Sequence, residues 1–338
     1  MKVLQNTWYM AAWTHELDES NPLGRTIGGI EIAFFRADDG TAAAVYDRCP
    51  HRFAPLSLGQ VKGNNLQCGY HGLTFDCTGK CVDNPEGDQI PKRADIRYFP
   101  VIERYKVVWV WLGEPGKADA NRIPDYSIHD DGSFRSLYGY TAVKANYELI
   151  TDNLLDLSHT RYIHPGFGGL DYDPEHSFNI SATQVDSNYF VRGSENSIFG
   201  EAMFPTNGGK IDEYNNMRWY LPSCLILEVV YTHAGDKKED GSTNWASHIL
   251  TPETEHSTHY FWASAVDKAS PLDDETHLAF LKQAFNDEDK PIIEACSKRL
   301  GGVEFWDAKP VVLEVDRAAV GARRMLSAAI KNENDETL

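Results

Sequence analysis

The first third of the chain alternates short apolar runs with turn-forming residues, a pattern typical of a small β domain. Two of these runs, at residues 30–35 and 42–46, flank a turn sequence at 38–40. A third run, at 107–111, contains only Val and Trp and precedes a Gly- and Pro-containing stretch at 113–116. We therefore predict an all-β domain over residues 1–115.

The remainder of the chain combines long apolar strands with stretches of helical spacing. Residues 226–231 and 257–262 predict strands, whereas residues 147–164 and 274–300 have apolar positions at helical intervals. Strands and helices come in blocks rather than in strict alternation, which predicts an α+β fold for a second domain at residues 116–331. We expect residues 332–338 to form a disordered tail.

Charge and hydropathy narrow the possible partners. The net charge of the 338-residue chain is -18, divided as -2 over residues 1–100 and -16 over the rest. Nucleic acids and anionic membranes bind clustered Lys and Arg, so we expect neither as a partner. No apolar run approaches the roughly 20 residues of a membrane span, and the N-terminus lacks the features of a signal peptide. We therefore expect a cytoplasmic protein.

Four cysteine and histidine residues form the first candidate metal site. Cys49 and His51 make a Cys-x-His pair, and Cys68 and His71 follow as Cys-x-x-His after sixteen intervening residues. Two thiolates and two imidazoles can hold a tetrahedral zinc, or an iron–sulfur cluster in which two His replace two Cys on one iron. Each pair supplies one Cys and one His, so each iron can take one ligand from each pair. This spacing favours the cluster.

The remaining cysteines are predicted to be unpaired. Cytosolic cysteines are more often reduced, buried or metal-bound than bridged. Core positions are expected for Cys224 and Cys296.

A second candidate site lies at residues 153–164. His159 and His164 stand five positions apart, preceded by Asn153 and Asp156. Such positions point about 140° apart on an ideal helix, so the helix must loosen or end between them to place both imidazoles on one ion. Two imidazoles and a carboxylate with open positions form the facial triad of Fe(II) oxygenases. The acidic stretch at 286–290 could supply the carboxylate or could be a solvated turn.

The two constellations together resemble a known family. Cys49 to Arg52 and Cys68 to Gly72 resemble the Rieske [2Fe–2S] motif of aromatic-ring oxygenases. The resemblance extends over nearly the whole chain and points to the vanillate and dicamba O-demethylase group of Rieske non-haem iron oxygenases. The similar segments are residues 6–9, 53–57, 107–113 and 248–253.

The resemblance implies the fold, the cofactors and the assembly. It implies an N-terminal Rieske domain followed by a catalytic domain of helix-grip (START-like) type, with an antiparallel sheet and helices. It also implies a [2Fe–2S] cluster held by Cys49, His51, Cys68 and His71, a mononuclear Fe(II), and a homotrimer. No dinucleotide-binding fingerprint follows a strand, so NADH is expected to act through a separate ferredoxin or flavin-containing reductase.

The resemblance also implies the iron ligands. His159 and His164 correspond to the two His ligands of the family, and Asp289 is the predicted carboxylate ligand. Asp287 and Glu288 are its alternatives.

Three further residues acquire implied roles. Asp156 corresponds to the aspartate that bridges to a cluster histidine, here His71, of the adjacent subunit; its alternative role is a local ion pair with Arg161. Asn153 matches a residue near the iron. His248 matches a substrate-binding position and is as readily explained by a structural role, since Leu227 stands where dicamba-type enzymes have an amide.

The expected reaction is the O-demethylation of a methoxylated aromatic acid by O₂, giving a phenol and formaldehyde. Hydroxylation of a ring carbon or an aryl methyl group is the main alternative, because it uses the same metal sites. A Rieske electron carrier without oxygenase activity is the remaining alternative. It would hold two irons per chain, whereas an oxygenase holds three.

Overall fold

The computed structural model describes residues 2–167 and 174–336 and divides the chain into two compact units. The first unit extends to Asp125 and includes Thr251–Glu255, and the second contains the other residues. The first unit therefore continues beyond the predicted end at residue 115. A hydrogen bond from the Trp8 indole to the Asp119 carbonyl (2.8 Å) joins the residues just beyond 115 to the first strand of this unit.

The first unit is built from short antiparallel strands in three sheets of the described chain, ordered β1-β11-β10, β2-β3-β4-β9 and β5-β6-β7-β8. The strands are β1 (Trp8–Trp13), β2 (Leu23–Ile27), β3 (Ile30–Arg36), β4 (Ala42–Tyr46), β5 (Gln60–Lys62), β6 (Asn65–Gln67), β7 (Thr74–Phe75), β8 (Cys81–Asp83), β9 (Tyr98–Phe99), β10 (Val101–Arg104) and β11 (Val107–Trp111).

The predicted Val and Trp run is a central strand. β11 pairs with β1 on one side and β10 on the other, and all five of its residues are buried. Burial on both faces explains why this run is uniformly apolar instead of alternating. The all-β prediction for this region is confirmed.

The second unit contains a seven-stranded antiparallel sheet in the order β12-β18-β17-β16-β15-β14-β13. Its strands are β12 (Phe134–Val143), β13 (Glu175–Ile180), β14 (Gln184–Ser194), β15 (Ile211–Tyr220), β16 (Cys224–His233), β17 (Ser242–Thr254) and β18 (Ser257–Asp267). The predicted strands at 226–231 and 257–262 lie inside β16 and β18. The last residues of β17, from Thr251, belong to the first unit.

The α-helices of the described residues all lie in the second unit, so the α+β prediction is confirmed. They are α1 (Tyr147–Leu155), α2 (Thr160–Ile163), α3 (Ile198–Met203), α4 (Asp274–Lys282), α5 (Lys290–Leu300) and α6 (Arg317–Glu336). Within the described residues, no helix has the length and apolar character needed to cross a membrane.

Both predicted helical stretches are interrupted. The stretch at 147–164 breaks at Asp156, continues as a 3₁₀ turn at Leu157–His159 and then becomes α2. The stretch at 274–300 contains a π-helical segment, Gln283–Asp289, between α4 and α5. Each interruption coincides with predicted metal ligands.

Helix α6 packs on α1 through a buried arginine. Arg323 is 7% exposed, and its guanidinium donates to both carboxylate oxygens of Asp152 (2.6–3.0 Å) and to Glu148 (3.0 Å). These bonds connect the C-terminal helix with the helix that precedes His159.

Two sequence expectations differ from the structure. Residues 332–336, expected to be disordered, continue α6, since a helix that has already formed propagates with one new hydrogen bond per added residue; residues 337 and 338 lie outside the described residues. Cys296, expected in the core, is exposed on α5, whereas Cys224 is buried as expected.

Candidate metal centres

The first candidate metal site lies on two loops of the first unit. Cys49 and His51 lie between β4 and β5, and Cys68 and His71 lie between β6 and β7. Both cysteines are buried, His51 is exposed, His71 is half-buried, and the two imidazole rings lie 4.5 Å apart between centroids. The structure thus brings together two buried thiols and two outward-facing imidazoles.

The backbone and charge around Cys49 suit a metal-bound thiolate. Burial raises the pKa of the Cys49 thiol to about 11, with Cys68 adding to the rise and the backbone N–H groups of His51 and Arg52 opposing it. A cation beside Cys49 would offset this cost of ionising its thiol, and an iron–sulfur cluster would supply one. Gly72 has φ +79°, and a Cβ there would lie 2.9 Å from Pro85 Cγ, so glycine is needed in this loop.

The second candidate metal site consists of His159, His164 and Asp289. Asp289 Oδ1 lies 3.5 Å from His159 Nε2 and 3.2 Å from His164 Nε2. The candidate ligand atoms of the three residues all lie within 4.8 Å of one another. His164 and Asp289 are buried, and His159 is half-buried. Two imidazoles and one carboxylate in this arrangement fit a mononuclear Fe(II) with open positions.

Hydrogen bonds orient both imidazoles for metal binding. His159 Nδ1 lies 2.5 Å from the carbonyl oxygen of Asp156, and His164 Nδ1 lies 2.6 Å from Glu288 Oε2. A carbonyl only accepts, so His159 Nδ1 carries the proton. An ionised Glu288 imposes the same arrangement on His164. Both Nε2 lone pairs are then available to one ion.

The environments of the two imidazoles shift their pKa values in opposite directions. Burial lowers the pKa of His159, and the carboxylate of Asp289 only partly offsets this effect. Burial also opposes protonation of His164, but its hydrogen bonds to Asp289 and Glu288 outweigh that effect and raise its pKa.

The two helix interruptions place these side chains. After α1 ends at Asp156, His159 ends a 3₁₀ turn and His164 follows α2 with φ -116° and ψ 71°, so the two do not lie five positions apart on one ideal helix. In the π-helical segment, each turn holds an extra residue compared with an α-helix. The neighbouring side chains Glu288 and Asp289 consequently both reach His164.

The three predicted carboxylates occupy different positions. Asp289 faces both Nε2 atoms, Glu288 bonds the opposite nitrogen of His164, and Asp287 is exposed. The geometry favours Asp289 over its two alternatives, and its identity as the third ligand stays a prediction.

Asn153 and Asp156 lie beside the metal site. Asn153 Nδ2 donates to Asp289 Oδ1 (3.2 Å). The carboxylate of Asp156 accepts from the Ser158 N–H (2.9 Å) and the Tyr189 hydroxyl (3.3 Å). Among the described residues, no ion pair joins Asp156 to Arg161, so the alternative of a local ion pair finds no support.

A cavity of about 170 Å³ adjoins the metal site. Its lining includes His159, His164 and Asp289, together with apolar side chains from the sheet and helices. The apolar lining residues include Leu154, Phe167, Met217, Leu227, Val229, Ala246, Leu281 and Phe285. A cavity of about 150 Å³ with apolar walls can hold benzene. The volume therefore suits one substituted aromatic ring.

His248 lines this cavity from β17. Its Nδ1 lies 2.6 Å from the Tyr260 hydroxyl, and the edge of its ring packs against Phe285. Burial lowers the pKa of His248 to about 4, so the ring is neutral at physiological pH. Its Nε2 is buried without a hydrogen-bond partner, which leaves one polar atom for a ligand.

Several residues of the site were not predicted from the sequence. Glu288 was considered only as an iron ligand, and the acidic run gave no sign that it would bond the outer nitrogen of His164. Glu213 and Arg161 contribute charged side chains to the cavity lining, and burial raises the pKa of Glu213 to about 7. The alternation of inward-facing residues along β15 could have indicated Glu213 if the sheet faces had been known.

Two family descriptions match the chain. Residues 7–100 match the Rieske [2Fe-2S] domain, and residues 143–332 match the vanillate O-demethylase oxygenase C-terminal domain. Together they include all the predicted metal ligands.

Similar proteins cover nearly the whole chain. The dicamba O-demethylase oxygenase component of Stenotrophomonas maltophilia is 38% identical over 96% of this chain and 97% of its own length. The chloroacetanilide N-alkylformylase oxygenase component of Rhizorhabdus wittichii is 35% identical, covering 98% and 96%. The crystal structure of dicamba monooxygenase bound to 3,6-dichlorosalicylic acid has a TM-score of 0.92 at 36% identity, covering 99% of both chains.

Proposed function

Because the chain belongs to the Rieske non-haem iron oxygenases with a vanillate O-demethylase-type C-terminal domain, we propose that it O-demethylates a methoxylated aromatic acid. It acts as the terminal oxygenase component of an O-demethylase-type system and carries a [2Fe–2S] cluster and a mononuclear iron. The observation that carries the proposal is the position of His159, His164 and Asp289 beside a ring-sized, largely apolar cavity.

The overall reaction consumes one O₂ and two electrons. One oxygen atom enters a C–H bond of the aryl methyl ether, and the other leaves as water with two protons. The hemiacetal that results collapses to a phenol and formaldehyde. The electrons come from NADH through a ferredoxin or a flavin-containing reductase.

The bound metals supply oxygen activation and single electrons, and the protein supplies their positions and the shape of the cavity. In this proposal, Cys49, His51, Cys68 and His71 hold the cluster. His159, His164 and Asp289 hold the iron. The Asp156 carbonyl and Glu288 keep both Nε2 lone pairs directed at one point, and Asn153 orients Asp289.

The cavity lining positions the substrate. Leu227 and Val229 provide apolar contacts for a ring, and the unpartnered Nε2 of His248 offers a polar contact. The substrate is not settled by relatives, because one of them is a dicamba O-demethylase and another a chloroacetanilide N-alkylformylase. The volume of the cavity and its largely apolar lining favour a monocyclic aromatic substrate.

Electron delivery in the proposed homotrimer uses Asp156. The half-buried carboxylate of Asp156 is available to the cluster ligand His71 of an adjacent subunit, and its backbone carbonyl already bonds the iron ligand His159. One residue would thus connect the two metal sites across a subunit border.

The function is tested by formaldehyde release from a panel of methoxybenzoates, with a reductase, NADH and O₂ supplied. Substrate-dependent formaldehyde from the wild type, and none from a His159→Ala variant, is the expected result. Oxygen uptake with a hydroxylated product but no formaldehyde would replace the proposal with ring or methyl hydroxylation. Two irons per chain, with no oxygen uptake, would identify an electron carrier.

A further inference from the structure

Arg161 introduces a positive charge into the lining of the cavity. It lies in α2, between the predicted iron ligands His159 and His164. Its Nε is buried and has no hydrogen-bond partner. The guanidinium lies over the Tyr162 ring, with Cζ 5.3 Å from the centroid. Within the described residues, no carboxylate forms an ion pair with this side chain.

An arginine in this environment calls for an anionic partner. Arg161 is half-buried as a residue, its guanidinium stays protonated, and a buried polar atom such as its Nε is normally hydrogen-bonded. The carboxylates that line the cavity are otherwise engaged. Glu195 lies 3.4 Å from Lys210, Glu213 accepts from Asn215, and Asp289 faces the two imidazoles.

Arg161 is also the single Lys or Arg among the lining residues of the described chain. The sheet contributes Leu227 and Ala246, paired across β16 and β17, near His248. Neither side chain can bond a carboxylate. The strongest donor available to an anionic substrate therefore comes from α2, the short helix between the predicted iron ligands His159 and His164.

We propose that Arg161 determines substrate specificity by binding the carboxylate of an aromatic acid. The planar guanidinium matches a carboxylate with two parallel hydrogen bonds. Arg161 and His164 line the same cavity, so a carboxylate held by Arg161 keeps its ring near the candidate metal site. This inference rests on the proposed function for the identity of the reacting group.

Binding without turnover isolates this role. We would measure dissociation constants by calorimetry for 2-, 3- and 4-methoxybenzoate and for the matching methoxybenzamides, with iron-loaded protein and no reductase. The wild type should bind at least one acid about 10-fold more tightly than its amide. Arg161→Met should weaken that acid about 10-fold and change the amide by less than about 2-fold.

Two variants control for the loss of charge and of structure. Arg161→Lys keeps the charge without the planar pair of donors, so it should retain part of the preference for the acid. Arg192→Met removes an exposed cation of β14 outside the cavity lining and should bind both ligands as the wild type does. Unchanged cluster absorbance and iron content in Arg161→Met would show that the variant is folded.

The outcomes separate this inference from the proposed function. Equal affinity of the wild type for every acid and its amide, or an unchanged preference in Arg161→Met, would overturn the role of Arg161. Acid binding that depends on Arg161 but gives no formaldehyde would overturn O-demethylation and leave the role of Arg161 intact. Formaldehyde released equally from acids and amides would support O-demethylation and overturn the role of Arg161.

Discussion

The contact between Glu288 and His164 determines which nitrogen of this imidazole faces the metal site. With Nδ1–H donated to the carboxylate, Nε2 is the nitrogen that faces Asp289 and that would bind a metal ion. Gln283 donates to the second oxygen of Glu288 (2.7 Å), so the carboxylate itself is held in place. Such outer hydrogen bonds orient a ligand and increase its basicity.

Glu288→Gln should therefore weaken iron binding without removing a ligand. The amide keeps the shape of the side chain but loses the charge that fixes the tautomer, so we expect roughly 10-fold weaker affinity for Fe(II). Iron retained during dialysis against graded chelator measures this. Asp287→Asn, at the exposed neighbouring position, is the matched control, and equal losses in both variants would contradict the specific role of Glu288.

Glu213 predicts a pH dependence of stability. Burial raises its pKa from 4.5 to about 7, and the hydrogen bond from Asn215 only partly opposes this. The folded state then binds the proton more tightly than the unfolded state. Stability from this residue is therefore fully present below pH 4.5 and is lost as the pH rises through about 7.

Glu213→Gln should remove this dependence. Because the Glu213 side chain is only half-buried, we expect the substitution to raise the free energy of unfolding at pH 8 by about 1 kcal/mol. This corresponds to a gain of roughly 2–4 °C in Tm at pH 8, with little change at pH 5. Thermal unfolding followed by circular dichroism tests it. An equal shift at both pH values, or the same behaviour in the exposed Glu239→Gln control, would contradict the titration of Glu213.

At the scale of elements, the metal site depends on interruptions of helices. An uninterrupted α-helix over residues 147–164 would direct His159 and His164 about 140° apart. The 3₁₀ turn that ends at His159 and the end of α2 just before His164 remove this conflict. Helical periodicity predicted where these helices lie, but it carries no information on a π turn, which depends on the packing around residues 283–289.

The contact between α1 and α6 should be important for stability. Arg323→Met would leave Asp152, whose side chain is 23% exposed, without its cation. Removing one partner of a buried pair costs about 3 kcal/mol or more, so we expect Tm to fall by roughly 5–10 °C. Arg324→Met, at the exposed adjacent position of α6, should change Tm little, and similar losses in both variants would argue against the ion pair as the cause.

At the scale of the whole molecule, the two metal sites lie in separate units, and we expect them to be lost separately. His159→Ala should reduce the iron content from three to two per chain and abolish turnover, because one of the three iron ligands is removed. The visible spectrum of the cluster should be unchanged. Loss of the cluster absorbance in this variant would contradict the assignment of two independent sites.

Asp156→Asn addresses the proposed transfer of electrons between subunits. Both metals should be retained, since neither the Asp156 carbonyl nor any predicted ligand is altered, but oxidation of the reduced cluster during a single turnover should slow by at least about 10-fold. Stopped-flow absorbance measures this rate. A wild-type rate would remove the bridging role, and iron loss would instead indicate a structural role beside His159.

The sequence by itself determined the fold class and the type of both metal sites. Strand and helix periodicities depend on local burial patterns, and the paired Cys and His residues are close in sequence, so both could be recognised without a structure. The resemblance implied Asp289 as the third ligand, with Asp287 and Glu288 as alternatives, and this choice stays a prediction.

Only the tertiary structure decided what faces the cavity. Asp289 lies 125 residues beyond His164 in the sequence. Asp289 and Glu288 face different nitrogens of His164, and this difference depends on the π-helical segment that contains both. The sequence did not show that Arg161 and Glu213 line the cavity, because the role of a charged residue depends on which side chains surround it after folding. Spacing along the chain defines local ligand pairs, whereas burial, orientation and the choice of partner follow from contacts between distant segments.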